Sequence, residues 1–324
     1  MLSQSSMAGQ RTTEPAITRR KRARPGTRTQ ALVVVAAIAG ALLPGPAEPR
    51  GLIRNDDATQ TTFAPATHGR PPVRGQAMAT APGNAAASPR IRSLRAVVRA
   101  TLPHDPQAFT QGLEFRGATL YESTGLVGRS SLRAGPPGKR PTRQVELPAP
   151  LFGEGITFSG AKLWQLTWRN GIAIERDATT LEERRRVSFP GEGWGLCHQR
   201  IAGRERLVMS DGTDRLTFRD SNTFTATGGI NVRKDDAPAT RLNELECAPD
   251  GSIYANVYGT DTILRINPHT GAVTAHIDAS GLLTAAESRL AGQLNGIAAV
   301  PGTDFFLITG KLWPLMFQVA YLPR

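Results

Sequence analysis

Cysteine, histidine and aromatic residues are all scarce in this chain. The two cysteines, Cys197 and Cys247, do not make a disulfide framework. A single disulfide in an exported chain is one reading of them; each lies in an apolar strand pattern, where a buried free thiol is common, so unpaired thiols are the expectation. The five histidines are scattered, and none joins a cysteine at zinc-site spacing. No order of Ser, His and Asp suggests a catalytic triad, and no loop is built to cradle a phosphate. The apolar run ALVVVAAIAGALL at 31–43 has 13 residues, short for a membrane span, which takes roughly 20.

What is abundant is glycine, with 33 residues, and positive charge, with a net of +12 over 324 residues. The charge is uneven: Arg19, Arg20, Lys21, Arg22 and Arg24 form one cluster just before the apolar run. A basic flank, a short apolar stretch and small residues at 45–47 fit a secretory signal with an extended basic region. An uncleaved N-terminal anchor is the other reading. Export to the periplasm or the medium is expected, with membrane contact only through this segment. The flank accounts for the charge, so no nucleic-acid partner is expected. Residues 45–90 are rich in Ala, Pro, Gly, Thr and Arg and have little periodicity; such a stretch buries little apolar surface and reads as a disordered linker. The organisation expected is therefore 1–44 signal or anchor, 45–90 linker and 91–324 folded domain.

Within that domain a tripeptide recurs: a polar or aromatic residue, usually Gly, then Leu or Ile. It appears as Gln111-Gly112-Leu113, Glu154-Gly155-Ile156, Trp194-Gly195-Leu196, Asn243-Glu244-Leu245 and Asn295-Gly296-Ile297. Second strand signals follow each one (LYESTG, LWQLTW, LVMSDG, IYANVYG and FLITGK), and then third ones (SSLR, IAIERD, RLTFRD, ILRINPHTG and LMFQV). Repeats of roughly 40–50 residues with several short strands indicate a β-propeller. Five repeats indicate an all-β, five-bladed propeller with four-stranded antiparallel blades. One helical interruption is expected at TAAESRLA, 284–291.

The first strand of each blade lines the central channel. The tripeptides therefore converge at one mouth, although they are far apart in sequence. The candidates there are the carboxylate Glu154, with Glu122 as a second acid, the amides Gln111, Asn243, Asn256 and Asn295, the aromatics Phe109, Trp168, Trp194 and Tyr258, and the cation Lys311. Asp211, Asp214 and Asp261 read as turn formers, and His104 and His198 as loop residues. Glu244 and Glu246 flank Leu245, so at least one of them is expected to point away from the mouth. An aromatic wall with one acid suits a small amine, held by cation–π and charge contacts. The same acid, its pKa raised by burial, can take that amine's proton.

The motifs AFTQGLEF, LFGEGIT, LWQLTW, GEGWGLCH, LVMSDGTDRLTF, LNELE, ANVYGTD, LRINPHTG, LNGIAAV and TGKLWP occur in this order across 102–319. Together they resemble the plant and bacterial glutaminyl-peptide cyclotransferases. The resemblance implies a five-bladed propeller and a reaction that turns an N-terminal glutamine of a peptide into pyroglutamate with release of ammonia. It implies no cofactor for catalysis and allows a structural calcium. It marks Glu154 as the catalytic acid/base and Phe109, Gln111, Trp168, Trp194, Asn243, Tyr258 and Lys311 as the substrate pocket. A monomer is expected. Tyr258 stands where the family usually has Trp, and RAGPPGKRPTRQ replaces a more regular strand and turn. Two other readings of the residues stay open. One is a ligand-binding propeller without catalysis. The other is a propeller hydrolase or lactonase with a channel metal on Glu154, Asn243 and Asn295.

Overall fold

Short strands with apolar residues on both faces need cover on both sides, and a ring of blades packed face to face provides it. The computed structural model describes residues 90–201 and 203–324. The signal or anchor and the linker expected before residue 90 lie outside them. The described part starts with β1 (Arg92–Pro103). Blade one is β2 (Thr110–Arg116), β3 (Thr119–Thr124), β4 (Ser131–Gly135) and β5 (Arg143–Glu146). Blade two is β6 (Gly153–Ser159), β7 (Lys162–Thr167), β8 (Ile172–Asp177) and β9 (Glu183–Ser188). Blade three is β10 (Leu196–Ile201), β11 (Arg204–Met209), β12 (Arg215–Arg219) and β13 (Ala226–Asn231). A small ribbon of β14 (Arg233–Lys234) and β15 (Ala237–Pro238) precedes blade four, which is β16 (Leu242–Cys247), β17 (Ile253–Val257), β18 (Thr262–Ile266) and β19 (Val273–Asp278). Blade five is β20 (Leu294–Ala299), β21 (Phe306–Gly310) and β22 (Leu315–Pro323), completed by β1.

The ring closes by joining distant parts of the chain. Strand β1 runs antiparallel to β22, from Leu94 opposite Pro323 to Pro103 opposite Leu315. Its first residues also pair with β19 in parallel, Arg92 opposite Ala275 through Arg95 opposite Asp278. Blades four and five thus share one eight-stranded sheet, while blades one to three are separate four-stranded antiparallel sheets.

The hydrophobic core is divided among the five seams between blades. Tyr121 and Leu132 meet Ile156 and Leu163; Trp164 and Leu166 meet Leu196 and Leu207; Val208 and Leu216 meet Leu245 and Ile253. Tyr254 and Ile263 meet Ile297 and Ile308, and Leu307 and Met316 meet Leu113 and Leu120. The repeated glycine is where inner strands come closest. A Cβ on Gly155 would lie 2.6 Å from Leu196 N, and one on Gly195 would lie 2.2 Å from Asn243 O. Both clashes are with the backbone of the next blade, so only glycine fits. In the fourth repeat Glu244 takes the glycine's place, and its Oε1 accepts the backbone N–H of Leu113 in blade one at 3.0 Å.

Two sequence expectations are corrected here. Cys197 and Cys247 are not free thiols but a disulfide, because the strands β10 and β16 are adjacent inner strands and bring the two Cα atoms to 5.4 Å. The expected helix at 284–291 is a single 3-10 turn, Glu287–Arg289. Thr284 and Glu287 cap each other there, with Glu287 Oε2 accepting from Thr284 N at 2.8 Å, but Leu290 is exposed and the turn buries no residue of its own. A short helix without a buried apolar face does not sustain itself. No helix among the described residues is long and apolar enough to cross a membrane.

Two stability outcomes follow. Replacing both Cys197 and Cys247 by serine should cost about 4 kcal/mol on the chain-entropy account of a loop of this size, read from chemical denaturation midpoints. Gly195→Ala should cost at least about 1–3 kcal/mol by overpacking, read from the same midpoints.

Candidate active site

The site is assembled from the starts of first strands and the ends of second strands. Gln111 and Glu154 lie at the starts of β2 and β6, Asn243 and Asn295 at the starts of β16 and β20, and Trp194 just before β10. Trp168, Tyr258 and Lys311 directly follow β7, β17 and β21, and Phe109 directly precedes β2. In an antiparallel pair these positions face one end of the sheet, so five blades deliver them to one mouth.

Glu154 is the centre of a directed hydrogen-bond chain. Asn295 Nδ2 donates to Gln111 Oε1 at 2.9 Å and also to the carbonyl of Thr110 at 3.1 Å. With its oxygen so occupied, Gln111 turns its Nε2 to Glu154 Oε1, at 2.8 Å. Glu154 Oε2 is buried and finds no partner among the described residues. Burial pushes the Glu154 carboxyl well above the usual carboxylate range; Lys311 opposes this shift and Glu192 adds to it. Lys311 is itself buried, and burial brings its ammonium down to about 8, with Glu154 opposing. Both groups thus change charge more easily than on a surface.

Around them runs a collar of rings. Trp168 packs on Phe152 with centroids 5.4 Å apart, and Phe152 meets Phe109 edge-on at 6.1 Å. Lys311 Nζ sits 4.9 Å from the Phe109 centroid and 5.5 Å from that of Tyr258. Tyr258 meets Trp194 at 5.5 Å. Glu192 closes the circle: its Oε2 accepts from Trp194 Nε1 at 3.0 Å and from Trp168 Nε1 at 2.7 Å. The π faces of such a collar, around a single carboxyl, fit a small polar group with a cationic end.

Seven of the eight residues expected at the site are joined by these contacts. Asn243 is buried at the start of β16, and its carbonyl accepts from Ser210 Oγ at 2.7 Å. Asn256 serves backbone instead, accepting from Gly296 N at 3.1 Å. Glu122 is tied to Thr110 Oγ1 at 2.7 Å. His198 is not a loop residue; it stands on β10. Asp211 is a turn former, bonded to the N–H and hydroxyl of Thr213. Glu244 and Glu246 are both buried, with Glu246 farther from the mouth along β16. Burial pushes Glu244 well above the usual range and brings Glu246 to about 7. No group of three or more His, Cys, Asp or Glu among the described residues is arranged to hold a metal ion. Sequence reading missed the collar's Phe152 and Glu192. Each stands two residues before a tripeptide's first residue, so strand alternation was the signal that pointed to them.

The family model described as glutamine cyclotransferase matches residues 73–321, most of the chain. The chain belongs to the glutamine cyclotransferase family. It is 36% identical over 241 residues to the glutaminyl-peptide cyclotransferase of Arabidopsis thaliana, covering 72% of each chain. It is also similar to the crystal structure of Myxococcus xanthus glutaminyl cyclase, at 36% identity and a TM-score of 0.64, covering 72% of this chain and all of that one. The family match begins inside the segment expected as a linker.

This member of the cyclotransferase family fastens the Lys311 turn to blade one by an ion pair. His104 Nε2 meets Glu122 Oε1 at 2.9 Å and its Nδ1 meets the carbonyl of Trp313 at 2.7 Å. Neither partner can donate, so both ring nitrogens carry hydrogen and the imidazole is cationic. Burial alone would lower its pKa; the charge and hydrogen bond of Glu122, the Trp313 carbonyl and Asp105 outweigh it, and the net shift is upward. Glu122 is held below its usual range: burial works against this, and His104, Arg133 and Thr110 prevail. The carboxylates of Glu122 and Asp105 and the guanidinium of Arg133 are the charged groups that face the ring. A raised histidine stabilises the fold fully below its unfolded pKa of about 6.5 and loses that contribution as pH rises through the folded value. His104→Ala should therefore cost about 3–5 kcal/mol near pH 6, as breaking a buried pair does. In thermal melts across pH, the gap between wild type and variant should narrow on the alkaline side.

Proposed function

We propose that this chain is a glutaminyl-peptide cyclotransferase in which Glu154 is the acid/base. The observation that carries the reading is the division of labour between the two oxygens of that carboxyl. Oε1 is fixed by Gln111, while Oε2 is buried at the mouth and has no partner among the described residues. The family and the Arabidopsis relative supply the reaction: N-terminal glutamine to pyroglutamate and ammonia.

The steps follow from the groups at the mouth. The substrate's N-terminal amine has an ordinary pKa near 8 and reacts as the neutral amine, having given its first proton to solvent. As its nitrogen bonds to the side-chain carbonyl carbon, Glu154 Oε2 accepts one of the two remaining protons; the raised pKa of Glu154 suits it to that exchange. The new bond closes a five-membered ring and leaves an oxyanion. Lys311 and the Asn243 amide are the donors at the mouth that stabilise it. Glu154 returns the proton to the side-chain nitrogen, the C–N bond breaks, and ammonia leaves. Atoms and charge balance with no other reactant. Both reacting groups belong to one residue, so the collar's task is to hold them folded together, and positioning supplies much of the acceleration.

Export is part of the same proposal. Its support is the Cys197–Cys247 disulfide, a bond typical of oxidising compartments, together with the basic and apolar N-terminal sequence.

The test is ammonia release from a glutaminyl dipeptide, with and without a chelator, for the wild type and Glu154→Gln. The reading expects chelator-resistant release, lowered about 10²–10⁴-fold in the variant, the usual worth of a general acid/base. Near-wild-type turnover by Glu154→Gln would remove Glu154 from the role. Chelator-sensitive release would replace the mechanism with a metal-dependent one.

A further inference from the structure

The two indoles of the collar belong to different blades. Trp168 follows β7 of blade two, and Trp194 precedes β10 of blade three. Each has ring contact on its far side, Trp168 with Phe152 and Trp194 with Tyr258. Nothing in those contacts fixes the distance between them. One atom does: Glu192 Oε2, which accepts both Nε1–H groups, at 2.7 and 3.0 Å. The other oxygen, Oε1, accepts from Arg169 Nε at 2.9 Å. The Arg169 guanidinium in turn lies over Trp168, 4.0 Å from the ring centroid, and covers its outer face. Backbone bonds of the two residues that follow Glu192 anchor it to both blades. Gly193 N donates to the Trp168 carbonyl at 3.0 Å, and Trp194 N to the Ser210 carbonyl at 3.0 Å.

We propose that Glu192 is a positioning residue, which sets the width of the pocket mouth by clamping Trp168 and Trp194 to a single oxygen and so determines affinity for the glutaminyl end of the peptide. This rests on the cyclotransferase reading of the pocket. Glu192 takes no part in the proton transfers; it acts through the two rings. Without it, each indole N–H loses a charged acceptor, and each ring is free to turn about its side-chain torsions. A hydrogen bond to a charged group is stronger than one between neutral groups.

Two substitutions separate the clamp from the charge. Glu192→Gln keeps an oxygen that both indoles can share and removes the charge; Arg169, which is largely exposed, is free to turn to water. Glu192→Ala removes the oxygen as well. Both are made in the full chain, and ammonia release from a glutaminyl dipeptide gives KM and kcat separately. Glu192→Ala should raise KM about 10-fold or more, as the loss of such a hydrogen bond implies, with a smaller change in kcat; uniform binding is then what has been lost. Glu192→Gln should recover most of that loss. Tryptophan emission supplies a readout independent of turnover. The chain has four tryptophans. Trp164 and Trp313 are buried and bonded to the carbonyls of Ser221 and Gly292, so a red shift in Glu192→Ala reports Trp168 and Trp194.

Equal KM for the Gln and Ala variants would overturn the clamp in favour of a charge effect. Unchanged KM and emission in Glu192→Ala, even with a lowered melting temperature, would reduce Glu192 to a structural residue. Absence of ammonia release from the wild type would instead remove the cyclotransferase reading. The emission of Glu192→Ala then decides the clamp alone: a red shift supports it, and an unchanged spectrum overturns it.

Discussion

Gly195 stands so close to blade four that a β-carbon would press into the Asn243 carbonyl, and a β-carbon on Gly155 would press into the backbone of blade three. These approaches let the inner strands touch backbone to backbone. They also draw the residue before each glycine inward, to the mouth. The distances from Gln111 to Glu154 and from Asn295 to Gln111 follow from this spacing. Widening one seam by the size of a methyl group would break the chain of amides that orients the carboxyl. The geometry of the mouth is thus a consequence of how blades pack, and only secondarily of the side chains themselves.

Burial then does the chemistry's preparation. A carboxyl and an ammonium placed in water would both be charged at neutral pH. At this mouth each is displaced toward neutrality, the carboxyl upward and the ammonium to about 8. Their mutual attraction limits the displacement but does not cancel it. Glu192 works in the same direction on Glu154 as burial does. Residues that shape the pocket mechanically are therefore also part of its electrostatics.

Much of this was legible because the repeat carries its own register. Gln111, Glu154, Trp194, Asn243 and Asn295 occupy one position of a repeating unit, and the fold translates that position into one place. The outermost strands were harder to see. Strand β9 reads ERRRVS and is almost wholly exposed, and β5 is half exposed, so neither has a strong apolar alternation to betray it. Nothing in the sequence of β1 says that its partners are β22 and β19, since pairing across the whole domain leaves no local trace. The cysteines were misread for a related reason. Each sits in an ordinary buried strand pattern, and only the adjacency of β10 and β16 turns two such positions into a bond. Glu192 escaped notice because its neighbour Trp194 carried the repeat.

The closure of blade five has a temporal meaning. Strand β1 is among the first parts of the domain to be synthesised, and its antiparallel partner β22 is the last. Until that partner appears, β1 has no antiparallel neighbour and β21 has an open outer edge. Open edges invite pairing with other chains, and contacts this distant in sequence form slowly. The ring can be completed only when the whole chain is present at once.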